Sequence, residues 1–378
     1  MNKKIKYLDT AATTKIDKRV LDEMLLYYRN FYGNASSNHK FGNQSKEAIE
    51  KSRIKVSELI NCSPRELIFT SGSTEAINLA LKGFVESNDD KENHIITVKT
   101  EHKAVLSTCE YLETKGYEIT YLDVDENGII SIEELRNSVK DNTCLIVIMY
   151  VNNETGVIQP INEIGKVAKE LNVTFFCDAT QAIGKLSVDV VSDNIDMLCF
   201  SGHKINGPKG IGVLFKKHPI KLTPLIHGGN QEDGLRSGTH NTPAIVGLGK
   251  ACEILKTEME ESKNKILKLN QYLIHELNKI TDFKEISKKQ LRVPHILNIV
   301  IPNLNSNIFI DKSISTAVSN GSACNSEIIE ESHVIKSMLK KGEFENNYIR
   351  ISLDKYTSKD DIDSLTKSLA NHLNSRYA

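Results

Sequence analysis

The chain has 378 residues, of which 39% are apolar and 26% charged, with 21 Gly and 8 Pro. These are the proportions of an ordinary globular protein, not a disordered or collagen-like one, and at about 150 residues per domain the length suggests two domains. Forty-eight Lys and Arg against 49 Asp and Glu leave a net charge of -1, so no global field draws in nucleic acid or an anionic membrane, and neither is expected as a partner. No apolar run approaches the roughly 18 residues that cross a bilayer. The basic start, Met1 to Lys4, meets Thr10 to Thr14 before a signal-peptide core can form, and a cytoplasmic location is expected. Seven cysteines, at 62, 109, 144, 177, 199, 252 and 324, form no Cys-x-x-Cys pair. That argues against structural zinc and a disulfide framework, and for reduced thiols.

In chain order, short β-branched runs at 67–69, 95–98, 145–151, 173–177, 197–200 and 212–215 alternate with helix-like stretches at 75–84, 104–115, 132–139 and 161–171. Near-continuous apolar strands between amphipathic helices predict an α/β fold with a mostly parallel sheet covered by helices on both faces. Beyond 249 the pattern changes. Leu255, Met259, Ile266, Leu269, Leu273, Leu277 and Ile280 recur at helical spacing and predict one long amphipathic helix. Strands over 296–301 and 348–353 and a closing helix over 360–373 complete a smaller α+β unit. The expected division is a large domain, 15–255, and a small one made of 1–14 and 256–378.

Polar residues gather after the carboxyl ends of the apolar runs, where open α/β sheets bind ligands. Thr70-Ser71-Gly72-Ser73-Thr74-Glu75 reads either as a phosphate cradle at a helix N-terminus or as a plain capped turn. The Gly-x-x-x-x-Gly-Lys-Ser/Thr nucleotide loop is absent from the sequence. His102, in Thr100-Glu101-His102-Lys103, is either a capping residue or an imidazole set against a flat ring. Asn153 follows the next run, where an Asn-rich turn also has backbone reasons of its own. Asp178 directly follows a buried run, so it either caps a helix or faces a cation, and Gln181 lies near it. Lys204, in Ser201-Gly202-His203-Lys204, gains meaning from this company: hydroxyls for a phosphate, a carboxylate for a ring nitrogen and an amine for an aldehyde are the requirements of pyridoxal phosphate.

These segments, with Leu8-Asp9-Thr10-Ala11-Ala12-Thr13-Thr14 and Arg236-Ser237-Gly238-Thr239, occur in an order that resembles the cysteine desulfurases of the NifS/IscS type. These belong to the class V aminotransferase group of fold-type I pyridoxal-phosphate enzymes, and the resemblance runs through nearly the whole chain. It implies that Lys204 binds the cofactor aldehyde, Asp178 pairs with the ring nitrogen, His102 stacks on the ring, and Gln181 and Asn153 contact its oxygen side. Ser73, Thr74, Ser201 and His203 would hold the phosphate, completed by Thr239 from the neighbouring subunit of a homodimer. Cys324, among small polar residues in Ser319-Asn320-Gly321-Ser322-Ala323-Cys324-Asn325-Ser326, resembles the family's nucleophile, whereas Cys144, Cys177 and Cys199 sit in apolar runs as buried residues do. Arg350 would bind the substrate carboxylate through its planar fork. The 26 residues between Cys324 and Arg350 match the long-loop branch of the family.

The implied activity converts L-cysteine to L-alanine and leaves the sulfur on Cys324 as a persulfide for a protein acceptor. A free thiol, with a pKa of about 8.5, needs a partner to ionise it at neutral pH, and His102 is the expected taker of that proton. Asn320 and Asn325 depart from the family's usual residues, and the segment 33–39 lacks its proline. The chain stops at Ala378 without the further C-terminal segment that IscS-type enzymes use to engage an iron–sulfur scaffold, which leaves the acceptor open among iron–sulfur assembly, thiolation and DNA sulfur modification. Two other readings stand beside this one: a related pyridoxal-phosphate lyase or aminotransferase that does not use Cys324, and a silent homologue acting as a scaffold.

Overall fold

The computed structural model describes residues 5–88, 93–321, 332–338 and 347–375. A short strand, β1 (Lys6–Tyr7), precedes helices α1 (Lys18–Arg29) and α2 (Lys40–Ile60). Asp17 caps α1 by accepting from the Arg19 N–H at 2.9 Å. Strands and helices then alternate: β2 (Leu67–Thr70), α3 (Ser73–Ser87), β3 (His94–Val98), α4 (Lys103–Glu113), β4 (Glu118–Leu122), α5 (Ile132–Ser138), β5 (Thr143–Val147), α6 (Ile161–Glu170), β6 (Thr174–Asp178), β7 (Met197–Ser201) and β8 (Gly212–Lys216).

The seven strands β2 to β8 form one sheet in the order β2-β8-β7-β6-β5-β3-β4. All are parallel except β8, which runs against both its neighbours. Every residue of β3, β5 and β7 is buried, as expected of strands covered on both faces. Alternate side chains feed two cores. Ile96, Ile146, Phe175 and Leu198 point to one core, with Val56 of α2, while Ile95, Leu145, Phe176 and Met197 point to the other, with Ile77 of α3 and Val105 of α4. The predicted run 145–151 leaves the ladder after Val147, although Tyr150 still donates its N–H to the Asp178 carbonyl at 2.9 Å.

Helix α7 (Thr242–Leu277) follows, starting thirteen residues before the expected stripe. Its first turns are buried nearly all round, through Ile245, Val246, Leu248, Ala251 and Cys252, so they show no amphipathic pattern. The remaining elements are β9 (Lys284–Glu285), β10 (Ile296–Val300), α8 (Ser306–Lys312), β11 (Thr316–Ala317), α9 (His333–Met338), β12 (Tyr348–Ser352) and α10 (Lys359–Asn374). Strands β12, β10 and β9 pair antiparallel, and β1 pairs with β11. A third core joins Leu269 and Leu273 of α7, Leu297 and Ile299 of β10, Ile349 and Ile351 of β12, and Ile362 and Leu369 of α10. Among the described residues, no helix is long and apolar enough to cross a membrane.

Candidate active site

The turns after β2, β3, β5, β6 and β7 open on a cavity of about 480 Å³. The N-terminal segment, through Asp9, Ala11 and Ala12, and β12, through Arg350, close it from the other side. Of the residues singled out in the sequence, Ser73, Thr74, His102, Asn153, Asp178, Gln181, His203, Lys204 and Arg350 all line this one space. Cys324 lies outside the described residues.

At the β2–α3 turn, Gly72 precedes Ser73 and offers no side-chain cap, and Ser73 and Thr74 of the first turn of α3 line the cavity. A Cβ on Gly212 of β8 would come within 2.6 Å of the Gly72 Cα, so the close approach of this turn requires a bare backbone. Ser201 sits behind the turn, buried. Its hydroxyl accepts from the Ser73 N–H at 2.7 Å and meets the Ser73 hydroxyl at 3.0 Å. His203 faces the cavity beside Thr13, 3.1 Å from its hydroxyl. Burial and the charges of Lys204 and Lys209 push its ring down to about 4, which leaves it neutral. Thr239 is exposed, on the segment after the short helical turn 231–234, and does not line this cavity.

His102 caps α4: its Nδ1 accepts from the Ala104 N–H at 3.1 Å. The capping reading is met, and the same ring also lines the cavity. With Nδ1 spent as an acceptor, the neutral ring carries its proton on Nε2. Burial lowers the ring's pKa, and Lys204 and His333 act in the same direction against Asp178. In the Asn-rich turn the two roles are split. The Asn152 side chain accepts from the N–H groups of Glu154 and Thr155 at 2.9 Å each, and Asn153 is left to face the cavity.

Asp178 ends β6 and no helix follows it directly, so the helix-cap alternative falls away. Its Oδ1 accepts from the Thr180 N–H at 2.9 Å, and among the described residues it has no ion pair. Gln181 donates from Nε2 to the Ala11 carbonyl at 2.8 Å and accepts at Oε1 from the buried Lys185 at 3.0 Å. Lys204 donates to the carbonyl oxygens of Ala11 and Ala12 at 2.6 and 2.7 Å. Burial and the positive charge of Arg350 push its amine down to about 8 against the pull of Asp178 and Asp9. Arg350 donates from Nη1 to the Asn153 carbonyl at 2.9 Å and from Nη2 to Asp9 at 2.7 Å.

The chemistry of these donors fits pyridoxal phosphate. A helix N-terminus carrying the hydroxyls of Ser73 and Thr74 suits the phosphate. A buried carboxylate with no ion pair among the described residues suits a ring nitrogen. An amine that titrates near 8 suits an aldehyde. Cys144, Cys177 and Cys199 are buried, as expected, and burial drives the thiols of Cys177 and Cys199 well above their usual range. Asp9, Glu154 and Lys185 were not assigned roles from sequence. Asp9 stands inside a quoted motif and Glu154 follows Asn153, but their partners are brought to them only by the fold.

The aminotransferase class-V family model matches residues 6–365. The chain is 44% identical over 360 residues to the cysteine desulfurase IscS of Ehrlichia chaffeensis, covering 94% of this chain and 88% of the relative. Its fold is similar to that of a solved NifS-like protein, with a TM-score of 0.92 and 36% identity over 98% of this chain and 100% of the other. A structure described as SspA in complex with cysteine aligns with a TM-score of 0.85 and 36% identity, covering 93% of this chain and 100% of that one. The chain belongs to the class-V aminotransferase family and, within it, to the cysteine desulfurases of the NifS/IscS type.

Proposed function

We propose that this protein converts L-cysteine to L-alanine at the cavity around Lys204 and passes the sulfur through Cys324 to a protein acceptor. The observation that carries the reading is the convergence of Lys204, Asp178, His102 and Arg350 on one cavity, with an amine that titrates near 8. Ser73, Thr74 and His203 would hold the phosphate of pyridoxal phosphate, with Ser201 supporting Ser73 from behind. Asp178 would face the ring nitrogen, and Gln181 and Asn153 the oxygen side. When bound, the cofactor supplies an electron sink for a carbanion at the substrate Cα.

The chain's own groups do the rest. Arg350 binds the substrate carboxylate, and its remaining N–H donors fix the amino acid in one orientation. Lys204, as the free amine, takes the proton from Cα and returns one to the product. The thiolate of Cys324 attacks the substrate sulfur. A sulfur–sulfur bond forms, the carbon–sulfur bond breaks, and the electrons of that bond stay with the carbon that becomes the alanine methyl group. The sequence reading made His102 the taker of the Cys324 proton; its cap leaves Nε2–H as the group available to the cavity, so we assign the neutral ring to proton donation instead. The reading includes a cytoplasmic homodimer in which exposed Thr239 serves the neighbouring subunit's phosphate site.

The test is the reaction itself. Protein loaded with pyridoxal phosphate, given L-cysteine and a thiol reductant, should release alanine and sulfide in equal amounts. Cys324→Ala should abolish turnover with the cofactor absorption intact, and Lys204→Ala should lose the absorption of the covalently held cofactor. Undiminished sulfide release by Cys324→Ala would remove the relay from the reading.

A further inference from the structure

Lys185 is a buried lysine, 8% exposed, in a turn whose backbone is fixed. Its N–H and that of Leu186 both donate to the Ala182 carbonyl at 2.9 Å. Gly184, just before it, takes a φ of +80°, and a Cβ there would come 3.1 Å from Leu255 of α7, so the turn packs tightly against that helix. Ala182 and Ile183 sink into the same core as Leu198 of β7. The Lys185 side chain does not line the active-site cavity; it reaches Gln181 Oε1 at 3.0 Å, its single hydrogen bond among the described residues. Burial and the charge of Lys204 push the amine down to about 7, so near neutral pH it weighs against the fold instead of supporting it.

Gln181, which does line the cavity, carries the connection onward. Its Nε2 donates to the Ala11 carbonyl at 2.8 Å, and the same oxygen accepts from Lys204 at 2.6 Å. The Ala11 N–H is held in turn by the Ser352 hydroxyl at 2.9 Å, on the strand that carries Arg350. The oxygen and nitrogen of an amide are alike in size, so their partners decide which way each faces. A carbonyl only accepts, and a lysine amine keeps N–H donors in either protonation state, so Oε1 turns to Lys185 and Nε2 to Ala11. Ala11 takes one of the two Nε2 hydrogens, and among the described residues the other has no acceptor.

We propose that Lys185 is a positioning residue for Gln181, fixing its amide so that Nε2 serves both the Ala11 carbonyl, on which Lys204 also rests, and the oxygen side of the bound cofactor. The proposal rests on the reading of Gln181 as a cofactor contact. Without the Lys185 donor, Oε1 becomes a buried acceptor with no partner, and the amide is released to turn away from its place.

The experiment titrates the cofactor-free full chain with pyridoxal phosphate and reads two quantities, the dissociation constant and the absorption of the bound cofactor. The proteins are the parent, Lys185→Met, Gln181→Ala and the double variant. Lys185→Met sets an apolar chain of similar length in place of a buried amine, a swap that keeps the fold. Gln181→Ala should weaken binding about tenfold and Lys185→Met about fivefold, and both should move the cofactor absorption in the same direction. The double variant should match Gln181→Ala within about twofold, because Lys185 has nothing to orient once the amide is gone. Parental binding and absorption in Lys185→Met, beside a weakened Gln181→Ala, would overturn the proposal and leave the cofactor contact of Gln181 standing. Losses that multiply in the double variant would also overturn it, since Lys185 would then act without Gln181. A Gln181→Ala chain that binds as the parent does would remove the contact on which the proposal rests and the proposal with it. A parent that binds no pyridoxal phosphate would sink the reading of the whole site.

Discussion

Asp9 and Arg350, 341 positions apart in the chain, form an ion pair with Oδ1 and Nη2 2.7 Å apart. With Nη1 on the Asn153 carbonyl and Nε buried without a partner among the described residues, the guanidinium is held in place but retains donors for an incoming carboxylate. Asp9→Asn should therefore raise KM for L-cysteine about tenfold while kcat changes less than about threefold, and should cost about 1–3 kcal/mol of stability. Steady-state kinetics and thermal denaturation check both, and an unchanged KM would show that Asp9 does not orient the arginine.

The amine of Lys204 titrates near 8 instead of at its ordinary 10.5, because it is buried near the charge of Arg350. Only the free amine captures an aldehyde. The rate at which cofactor-free protein takes up pyridoxal phosphate should rise between pH 7 and 9 and level off above about pH 9. Stopped-flow absorbance measures it, and a rate still climbing steeply at pH 10 would contradict the assignment.

Lys185 is buried behind Gln181, and burial together with the charge of Lys204 pushes its amine down to about 7 from 10.5. Between these values the unfolded chain holds a proton that the folded chain does not, so stability rises with pH across that window. Lys185→Met removes the buried amine. It should stabilise the protein at pH 7 by on the order of 2 kcal/mol, after allowing for the lost bond to Gln181, and the gain should shrink toward pH 10.5. Urea denaturation at pH 7 and 9.5 decides, and a difference independent of pH would refute it.

Glu232 accepts from Arg53 at 2.8 and 3.0 Å, from the Phe69 N–H at 2.8 Å and from His240 at 2.8 Å. Burial works to raise its carboxyl, but His240, Arg53 and the Phe69 amide outweigh it and hold the group down to about 2. A depressed carboxyl adds stability above about pH 4.5 that is lost as pH falls toward 2. Glu232→Gln should cost about 3 kcal/mol at pH 7, and the cost should fade in acid over that window. Denaturation at pH 7 and 3 tests it; an equal cost at both would show that the carboxylate charge is not what matters.

The sheet was legible because strands buried on both faces leave unbroken apolar runs, and polar residues after those runs mark the site. Strand direction leaves no such trace: Gly212–Lys216 reads the same whichever way it runs, so the reversal of β8 was invisible. Strand β4, at the sheet edge and mostly half-exposed, lacks a continuous apolar run. Helix α2 buries Gly42, Ser45, Ser52 and Ser57 against its neighbours, a face too polar to read as amphipathic. Gly249, which looks like a helix breaker, sits where a Cβ would come 2.7 Å from that of Ser52. Asp9 stands inside a legible motif, yet its meaning depends on Arg350, which only tertiary structure brings near.

The 36 residues of α7 make one rod about 54 Å long, with Ile245 and Leu248 sunk in one core and Leu269 and Leu273 in another. Swinging either core against the other would mean bending that rod, so the two cores are tied together through a single helix.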